Sequence, residues 1–399
     1  MCAAPLDPAD PAFLADPYPT FAALRAAGPV HHSAALGLHV AVSHAACDAL
    51  LRDRSLGRIW QDAEPAELFP AFNLLHRSSL LESVPPTHTR LRRLVAGAFA
   101  RGHAERMQPW IDAVAASLVA DLVERVDGAG SADLLEHVAE PLPVEVIAEL
   151  LNVPVPDRPL LRPWSNAIVK MYEYGLPEPG RRAAEEASAA FVDYLRGLVA
   201  QRRAHPLDDD LVSDLVAACD GEDRLSQDEI VGTCVLLLMA GHEATVNVVG
   251  NGMLALLRHR GEWERVVDDP GLVPGAVEEM LRYDSSLQLF ERTATRDVEI
   301  AGTLIPAGGK VAVLLGAANR DPAAFPDPDR FDVGRTPNPH LGFGAGIHFC
   351  LGAPLARIEV RAVLGALRAR MPGIALAAEP RRRPEFVIRG LHGLDVTRG

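Results

Sequence analysis

The 399-residue sequence has little positive charge, few cysteines and no long uninterrupted apolar run. Its 39 Lys and Arg residues stand against 53 Asp and Glu residues, a formal net charge of -14, and it has no basic tract. Such an acidic chain is a poor match for nucleic acid, so that class of function is excluded. The five cysteines are scattered without a paired motif, which argues against structural disulfides and zinc ribbons and is typical of a reducing cytosol.

Membrane and secretion signals are also lacking. The N-terminal stretch carries Asp7 and Asp10 and has neither a basic nor an apolar region, so it does not resemble a signal peptide. The longest apolar run, 235–240, is far shorter than the about 20 residues that cross a bilayer. We therefore predict a soluble cytoplasmic protein without a membrane anchor.

Helical periodicity dominates what is present, and strand patterns are short. Apolar residues recur at helical spacing in 18–27, 44–53, 88–100, 104–126, 143–152, 182–203 and 209–219. Strand-like stretches lie at 38–43, 296–305, 310–315 and 385–397. Because helices and strands do not alternate, the pattern predicts a mainly α fold with minor β.

The segment 225–260 predicts one long buried helix. Ser226 followed by Glu229 forms a capping box, and no proline occurs between 207 and 269. Some 30 helical residues would extend about 45 Å. The middle of this segment is apolar on nearly all sides, yet it contains His242 and Glu243. A second His four residues after His242 is absent, which excludes a metalloprotease helix.

Two later segments carry further polar residues. Pro274 suits the first turn of a helix over 273–283, in which Glu279 and Arg282 share one face. In 341–373 a glycine-rich loop leads into a helix that begins just after Cys350. A thiol at a helix start meets unpaired N–H groups and the positive end of the dipole, which favour the thiolate.

Such a thiolate has the properties that haem iron requires of a cysteine ligand. Gly344, Gly346 and Gly352 would allow the backbone near Cys350 to approach a large flat ligand. The alternative is a free cysteine that simply packs in a turn.

The motifs together resemble the cytochrome P450 family. FGAGIHFCLG matches its haem-binding pattern, EMLR its Glu-x-x-Arg motif, AGHEAT the motif of its long oxygen-activating helix, and PPTHTRLRRLV its haem-facing helix. Their order and spacing fit over nearly the whole chain. The resemblance implies a triangular, mainly α prism with minor β, formed by 1–399 as a single domain. One haem b would lie between the long helix and the cysteine loop.

The resemblance also implies roles for individual residues. Cys350 would be the axial ligand of the iron and the metal-binding residue. The other cofactor contacts would be Phe343, Gly344, Gly352, Ala240 and, for the propionates, His88, Arg92, Arg292 and His348. Glu279 and Arg282 would form a buried ion network with a second arginine, for which Arg330 and Arg335 are both candidates; we select Arg330.

One departure from the family pattern concerns proton delivery to dioxygen. The acidic residue of the long helix is Glu243, but Ala244 stands where the family has Thr, and Thr245 lies about 100° further round the helix. Two hypotheses remain for this catalytic segment. Either a substrate hydroxyl or a fixed water replaces the Thr, or the enzyme uses peroxide or performs oxidative coupling. A non-catalytic helper protein of the same fold is a third.

The resemblance places apolar residues around the substrate. These are Trp60, Leu80, Leu81, Leu236, Ala240, Leu289, Phe290 and Ile388. They favour monooxygenation of a sizeable hydrophobic molecule such as a macrolide, terpenoid, steroid or peptide. No reductase domain is evident, so we expect electrons from a separate ferredoxin and ferredoxin reductase. The arginines expected to dock that ferredoxin are Arg90, Arg93, Arg101, Arg106 and Arg357.

Overall fold

Helices make up most of the fold. A computed structural model of the protein describes residues 6–99, 103–220 and 222–399. The helices of this part are α1 Pro11–Ala15, α2 Tyr18–Ala27, α3 His44–Arg52, α4 Pro70–Arg77, α5 Thr87–Phe99, α6 His103–Ala129, α7 Pro141–Leu150, α8 Leu161–Val169, α9 Glu178–Ala204, α10 Leu211–Ala217, α11 Gln227–Arg258, α12 Arg260–Asp268, α13 Val273–Tyr283, α14 Leu315–Ala318 and α15 Ala353–Arg370. The mainly α prediction is confirmed.

The strands form small sheets. They are β1 Val30–Ser33, β2 Leu38–Ala41, β3 Leu56–Gly57, β4 Ala132–Asp133, β5 Cys219–Asp220, β6 Asp223–Arg224, β7 Leu289–Ala294, β8 Val298–Ile300, β9 Thr303–Ile305, β10 Lys310–Leu314, β11 Ala375–Leu376 and β12 Asp395–Thr397. The largest sheet has the order β1-β2-β10-β7-β3, and a smaller one has the order β11-β12-β4. Of the strand pairs that the structure describes in the largest sheet, β2 and β10 pair in parallel and the others are antiparallel.

The chain folds into two compact units. The first comprises 1–57, 111–141 and 244–399, and the second comprises 58–110 and 142–243, in each case as far as the residues are described. Helix α11 begins in the second unit and ends in the first.

The first unit is built around the five-stranded sheet, which is apolar on both faces. Along β10, Val311 and Val313 contribute to one buried cluster, whereas Ala312 and Leu314 contribute to another. This alternation follows because successive side chains of a strand point to opposite faces. Cys47 packs in the first of these clusters.

The second unit is a helical assembly in which α9 packs against α4, α8 and α10. Trp164 of α8 stacks on Phe191 of α9, with ring centroids 5.1 Å apart. Between α5 and α6, Arg101 lies outside the described residues.

Helix α11 begins at the predicted capping box. The Glu229 N–H donates to Ser226 Oγ at 3.2 Å, and the Ser226 N–H donates to the Glu229 carboxylate at 2.8 Å. By length and composition this helix could cross a membrane, but 67% of its most apolar window is buried inside the protein. Burial to this extent is typical of a core helix.

Two predicted strands are less regular than expected. Within 296–305 the chain reverses at Ala301 and Gly302, which have φ of 48° and 81°, so β8 and β9 form a hairpin. Within 385–397 only β12 forms, with isolated bridges at Ile388 and Leu391. Glycine weakens strands, which accounts for the interruption at 390 and 393.

Candidate functional site

Cys350 lies where a thiolate is stabilised. It precedes α15, whose N-cap is Gly352 and whose first turn contains Pro354. The Cys350 N–H donates to the Phe343 carbonyl at 3.0 Å, and the residue itself is half-buried. The free N–H groups and the positive dipole end of an 18-residue helix therefore face the cysteine side of the loop.

The glycines before Cys350 are required by the shape of the loop. Gly344 and Gly346 have φ of 68° and 70°, a region that favours glycine. A Cβ at Gly346 would also clash with the Leu51 carbonyl oxygen. Gly352 has a φ of -80°, and a Cβ there would meet Cys350 Sγ at an ordinary 4.0 Å. Two of the three predicted glycines thus shape the loop by their backbone conformation.

A cation lies close to the cysteine loop. The Arg357 guanidinium lies 4.5 Å from the centre of the Phe343 ring and donates to the Glu278 carboxylate at 2.7 and 2.8 Å. Glu278, and to a smaller extent Cys350, raise the pKa of Arg357. Burial acts against ionisation of Glu278, but Arg357 and His340 lower the pKa of that carboxyl to about 2. The loop therefore has a fixed positive neighbour that favours a thiolate.

The other described cysteines do not combine a helix start with partial exposure. Cys47 and Cys234 are fully buried, and burial raises the pKa of both thiols, that of Cys234 to about 12. Cys219 is exposed in β5, away from any helix start. Among the described cysteines, Cys350 is thus the one placed to serve as a thiolate ligand.

Glu279 and Arg282 form a fully buried pair on α13. The Arg282 Nε and Nη2 atoms donate to the two Glu279 oxygens, each at 2.7 Å, and both side chains are 0% exposed. An exposed helix pair, the alternative for two charges three residues apart, is therefore excluded.

The second arginine of this network is Arg335, so the choice of Arg330 is wrong. Arg335 Nε donates to both Glu279 oxygens at 3.1 and 3.2 Å, whereas the Arg330 side chain is 62% exposed and lies 3.9 Å from Asp332. Arg330 contributes its carbonyl, which accepts from Arg282 at 3.1 Å. The Asn338 amide, which the sequence did not indicate, also donates to Glu279 at 3.1 Å.

The residues expected at the propionates are distributed over both units. In the second unit His88 is buried on α5 and Arg92 is half-buried. Burial and, to a smaller extent, Arg92 lower the pKa of His88, so the two side chains are close enough to interact. In the first unit Arg292 is buried on β7, 4.5 Å from the centre of the Phe290 ring, and His348 is half-buried beside the cysteine loop.

An accessible apolar stripe runs along the middle of α11. Leu236 and Ala244 are half-buried and Ala240 is exposed, and these residues recur every four positions on one helix face. Glu243 and Thr245 are both buried beside this stripe. Ala244, rather than Thr245, therefore faces the accessible side.

The other expected pocket residues differ in exposure. In the second unit Trp60 is half-buried and stacks on His76, with ring centroids 4.3 Å apart, and Leu81 is half-buried while Leu80 is buried. In the first unit Leu289 is buried, and Phe290 and Ile388 are half-buried.

The residues around Cys350 fit the haem that the family resemblance implies. A cysteine at a helix start beside Arg357 supplies a soft anionic sulfur ligand. Because Gly344 and Gly346 carry no side chains, a large flat ligand can approach the loop backbone closely. The neighbouring residue Phe349 is 42% exposed and adds apolar surface beside Cys350.

Helix α15 also carries a buried acid that the sequence did not single out. Glu359 is 2% exposed, and its Oε2 has no hydrogen-bond partner among the residues described. Burial raises the pKa of this carboxyl to about 8, so the folded protein holds its proton more tightly than the unfolded chain does.

We therefore expect Glu359 to make stability fall with pH. The contribution of the protonated Glu359 to the free energy of unfolding is fully present below the pKa of the unfolded chain. It is lost as pH rises towards about 8, by at most about 1.4 kcal/mol per pH unit. Glu359→Gln should remove this slope. Melting temperatures of the two proteins between about pH 5 and 8 test it. Equal slopes would show that Glu359 is not protonated.

Comparison with known proteins identifies relatives along most of the chain. The family model described as Cytochrome P450 matches residues 162–269 and 271–368. The chain is 41% identical to Cytochrome P450 monooxygenase PikC of Streptomyces venezuelae, over 96% of this chain and 91% of that protein. It is 41% identical to 6-deoxyerythronolide B hydroxylase of Saccharopolyspora erythraea, over 79% of this chain and 76% of that protein.

Solved structures agree with the sequence relatives. The structure of the cytochrome BioI in complex with an acyl carrier protein ligated to hexadec-9Z-enoic acid has a TM-score of 0.90 and 34% identity. The alignment covers 97% of this chain and 99% of that chain.

Proposed function

This chain belongs to the cytochrome P450 family and is a haem b monooxygenase, and we propose that its substrate is a sizeable hydrophobic small molecule. The observation that carries this proposal is the accessible apolar stripe of α11, formed by Leu236, Ala240 and Ala244. Because Ala240 is also an expected haem contact, the apolar surface that remains for a substrate is that of Leu236 and Ala244, and such surface offers binding energy to a hydrophobic ligand. Macrolides, terpenoids, steroids and peptide natural products all meet this description.

The names of the relatives support the same substrate class. One relative is a hydroxylase of 6-deoxyerythronolide B, and a structural neighbour was solved with an acyl carrier protein bearing a long-chain fatty acid. When bound, the haem supplies the activation of dioxygen. The chain itself holds Cys350 as the ligand and, on α11, offers the surface that orients the substrate.

Substrate binding can be tested optically on the purified ferric protein. We expect a saturating low- to high-spin shift with one class in a panel of macrolides, steroids, terpenoids and cyclic peptides. The same compound should then be oxidised when ferredoxin, ferredoxin reductase and NAD(P)H are supplied. The panel includes simple sugars as polar controls, and a shift with these alone would contradict a hydrophobic substrate.

We further propose that a separate ferredoxin and its reductase deliver the electrons, and that the enzyme is cytoplasmic without a membrane anchor. A cleft of about 480 Å³ beside the cysteine loop is lined by Arg52, His340, Gly346 and Phe349, and offers a docking place close to Cys350. Most of the apolar window of α11 is buried inside the protein, which supports the proposal that this helix does not anchor the enzyme in a membrane.

The charge argument for this docking is weaker than the sequence indicates. Arg90 pairs with Glu229, Arg93 with Asp223 at 3.3 Å, and Arg106 with Asp209 at 3.2 Å. These pairs reduce the excess positive charge of the second unit, so the proposed docking depends on the cleft and the exposed Phe349 of the first unit alone.

We propose that a substrate hydroxyl or a fixed water takes the role of the missing Thr in proton delivery. Ala244 faces the accessible side of α11, and the nearest hydroxyl along the helix, that of Thr245, belongs to a buried side chain. Glu243 is buried beside them and is the acid of this segment. Peroxide use or oxidative coupling is the alternative reaction, and a non-catalytic helper protein is the alternative from another class.

Coupling in the variant Ala244→Thr tests whether a substrate hydroxyl or a fixed water takes the role of the missing Thr. If the substrate or a water already delivers protons, product formed per NAD(P)H consumed should stay unchanged or fall, because the added side chain crowds the accessible position. Ala244→Val, which adds similar bulk without a hydroxyl, is the matched control. Tighter coupling with Thr but not with Val would count against substrate assistance.

A further inference from the structure

A second cleft of the first unit is rich in arginine. It has a volume of about 830 Å³ and is lined by residues of 11–25, of the ends of α11 and α13, of 320–329 and of 379–389. Seven arginines and four carboxylates line it, an excess of three positive charges in a chain of net charge -14. Neither the cysteine loop nor the accessible stripe of α11 contributes to it.

The positive excess is greatest in the buried wall of this cleft. Arg320 and Arg389 are each 5% exposed, and Arg382 is largely buried. The one buried carboxylate of the lining, Asp284, accepts from Arg389 at 2.8 Å, from Tyr18 at 2.7 Å and from Arg382. One buried negative charge thus faces three buried positive charges.

The remaining acids of the lining are too exposed to balance the wall. Asp16 is exposed. Asp329 pairs with Arg320 at 2.7 Å and Glu379 pairs with Arg258, but their side chains are 80% and 69% exposed. Water and salt screen such exposed charges. Backbone carbonyls accept hydrogen bonds from Arg320 and Arg389 but add no negative charge, so the wall keeps a net positive charge that attracts an anionic ligand.

The rim and the aromatic wall complete the site. Arg381 is exposed at the rim, and Arg25 is half-buried and donates to the Ala317 carbonyl at 2.7 Å. The Arg320 guanidinium lies 3.6 Å from the centre of the Tyr283 ring and 4.2 Å from that of Tyr18. This stacking fixes the orientation of Arg320 at the cleft wall.

We propose that this cleft binds a small anion that carries a polyphosphate group. Guanidinium groups bind phosphate oxygens through two parallel hydrogen bonds, and several arginines converge on one cleft of a size that suits a small ligand. A polyphosphate supplies the several negative charges that the lining lacks. The group can belong to a free inorganic ion or to a phosphate ester, and both present the same chemistry to the arginines.

Calorimetric titration of the haem-loaded enzyme with inorganic pyrophosphate and with ADP, at constant ionic strength, tests this proposal. We expect saturable binding of pyrophosphate. Arg381→Gln should weaken it about tenfold, because one charge-assisted hydrogen bond is lost. Tighter binding of ADP would identify an ester as the ligand, and equal binding would identify the free polyphosphate group.

Arg182→Gln is the matched control, because Arg182 is an exposed arginine of α9 that does not line the cleft. It should bind pyrophosphate as the wild type does. An unchanged haem spectrum would show that each variant is intact. Absence of saturable binding by both anions, or equal weakening by Arg381→Gln and Arg182→Gln, would overturn the proposal.

Discussion

Replacing Cys350 with serine is expected to reduce monooxygenation to the background reaction, a loss of several orders of magnitude. A serine hydroxyl is a far weaker donor to iron than a thiolate. Of the other described cysteines, Cys47 and Cys234 are fully buried and Cys219 lies in a strand, so none of them is placed to replace Cys350. Product formation with a ferredoxin system, together with haem content, is the measurement.

Cys219→Ser provides the matched control for this prediction. Cys219 is an exposed cysteine in β5, so its loss should leave turnover and haem content unchanged. Full turnover in Cys350→Ser would show that the Cys350 thiolate is not required. An equal loss of turnover in Cys219→Ser would show that the substitutions damage the protein unspecifically.

The second large effect is expected at Glu279. Glu279→Ala leaves the buried guanidinium of Arg282 without its carboxylate, and it also removes acceptors for Arg335 and Asn338. Breaking a buried pair in this way costs about 3–5 kcal/mol. The melting temperature of the haem-loaded protein should fall, and the cysteine loop near α13 should release haem more readily.

An exposed acid serves as the control for Glu279. Glu264 pairs with Arg260 at 3.1 Å, but its side chain is 59% exposed, so Glu264→Ala should cost at most about 0.5 kcal/mol. If both variants melt at the same temperature, the buried network does not stabilise the fold.

The sequence predicted those parts of the site that depend on local spacing. The capping box at Ser226, the shared face of Glu279 and Arg282 and the helix start after Cys350 all follow from residues within one or two helical turns. Local geometry decides such features because neighbouring residues on one helix are held at fixed distances.

Side-chain positions in irregular segments, and contacts between residues far apart in the sequence, could not be predicted from one sequence. Arg330 and Arg335 lie in one irregular segment, and spacing there does not determine which side chain turns inward to Glu279. The acid that neutralises Arg90, Glu229, is 139 residues away in the sequence. The arginine-rich cleft is assembled from separate segments of the first unit, so no single stretch indicates it.

The optical spectrum of the reduced protein with carbon monoxide tests the central claim most directly, that Cys350 binds the haem iron as a thiolate. We predict the strongly red-shifted Soret band that a thiolate ligand gives, present in the wild type and in Cys219→Ser and absent from Cys350→Ser. A Soret band of the imidazole-ligated type in the wild type would contradict this assignment, because a histidine would then hold the iron.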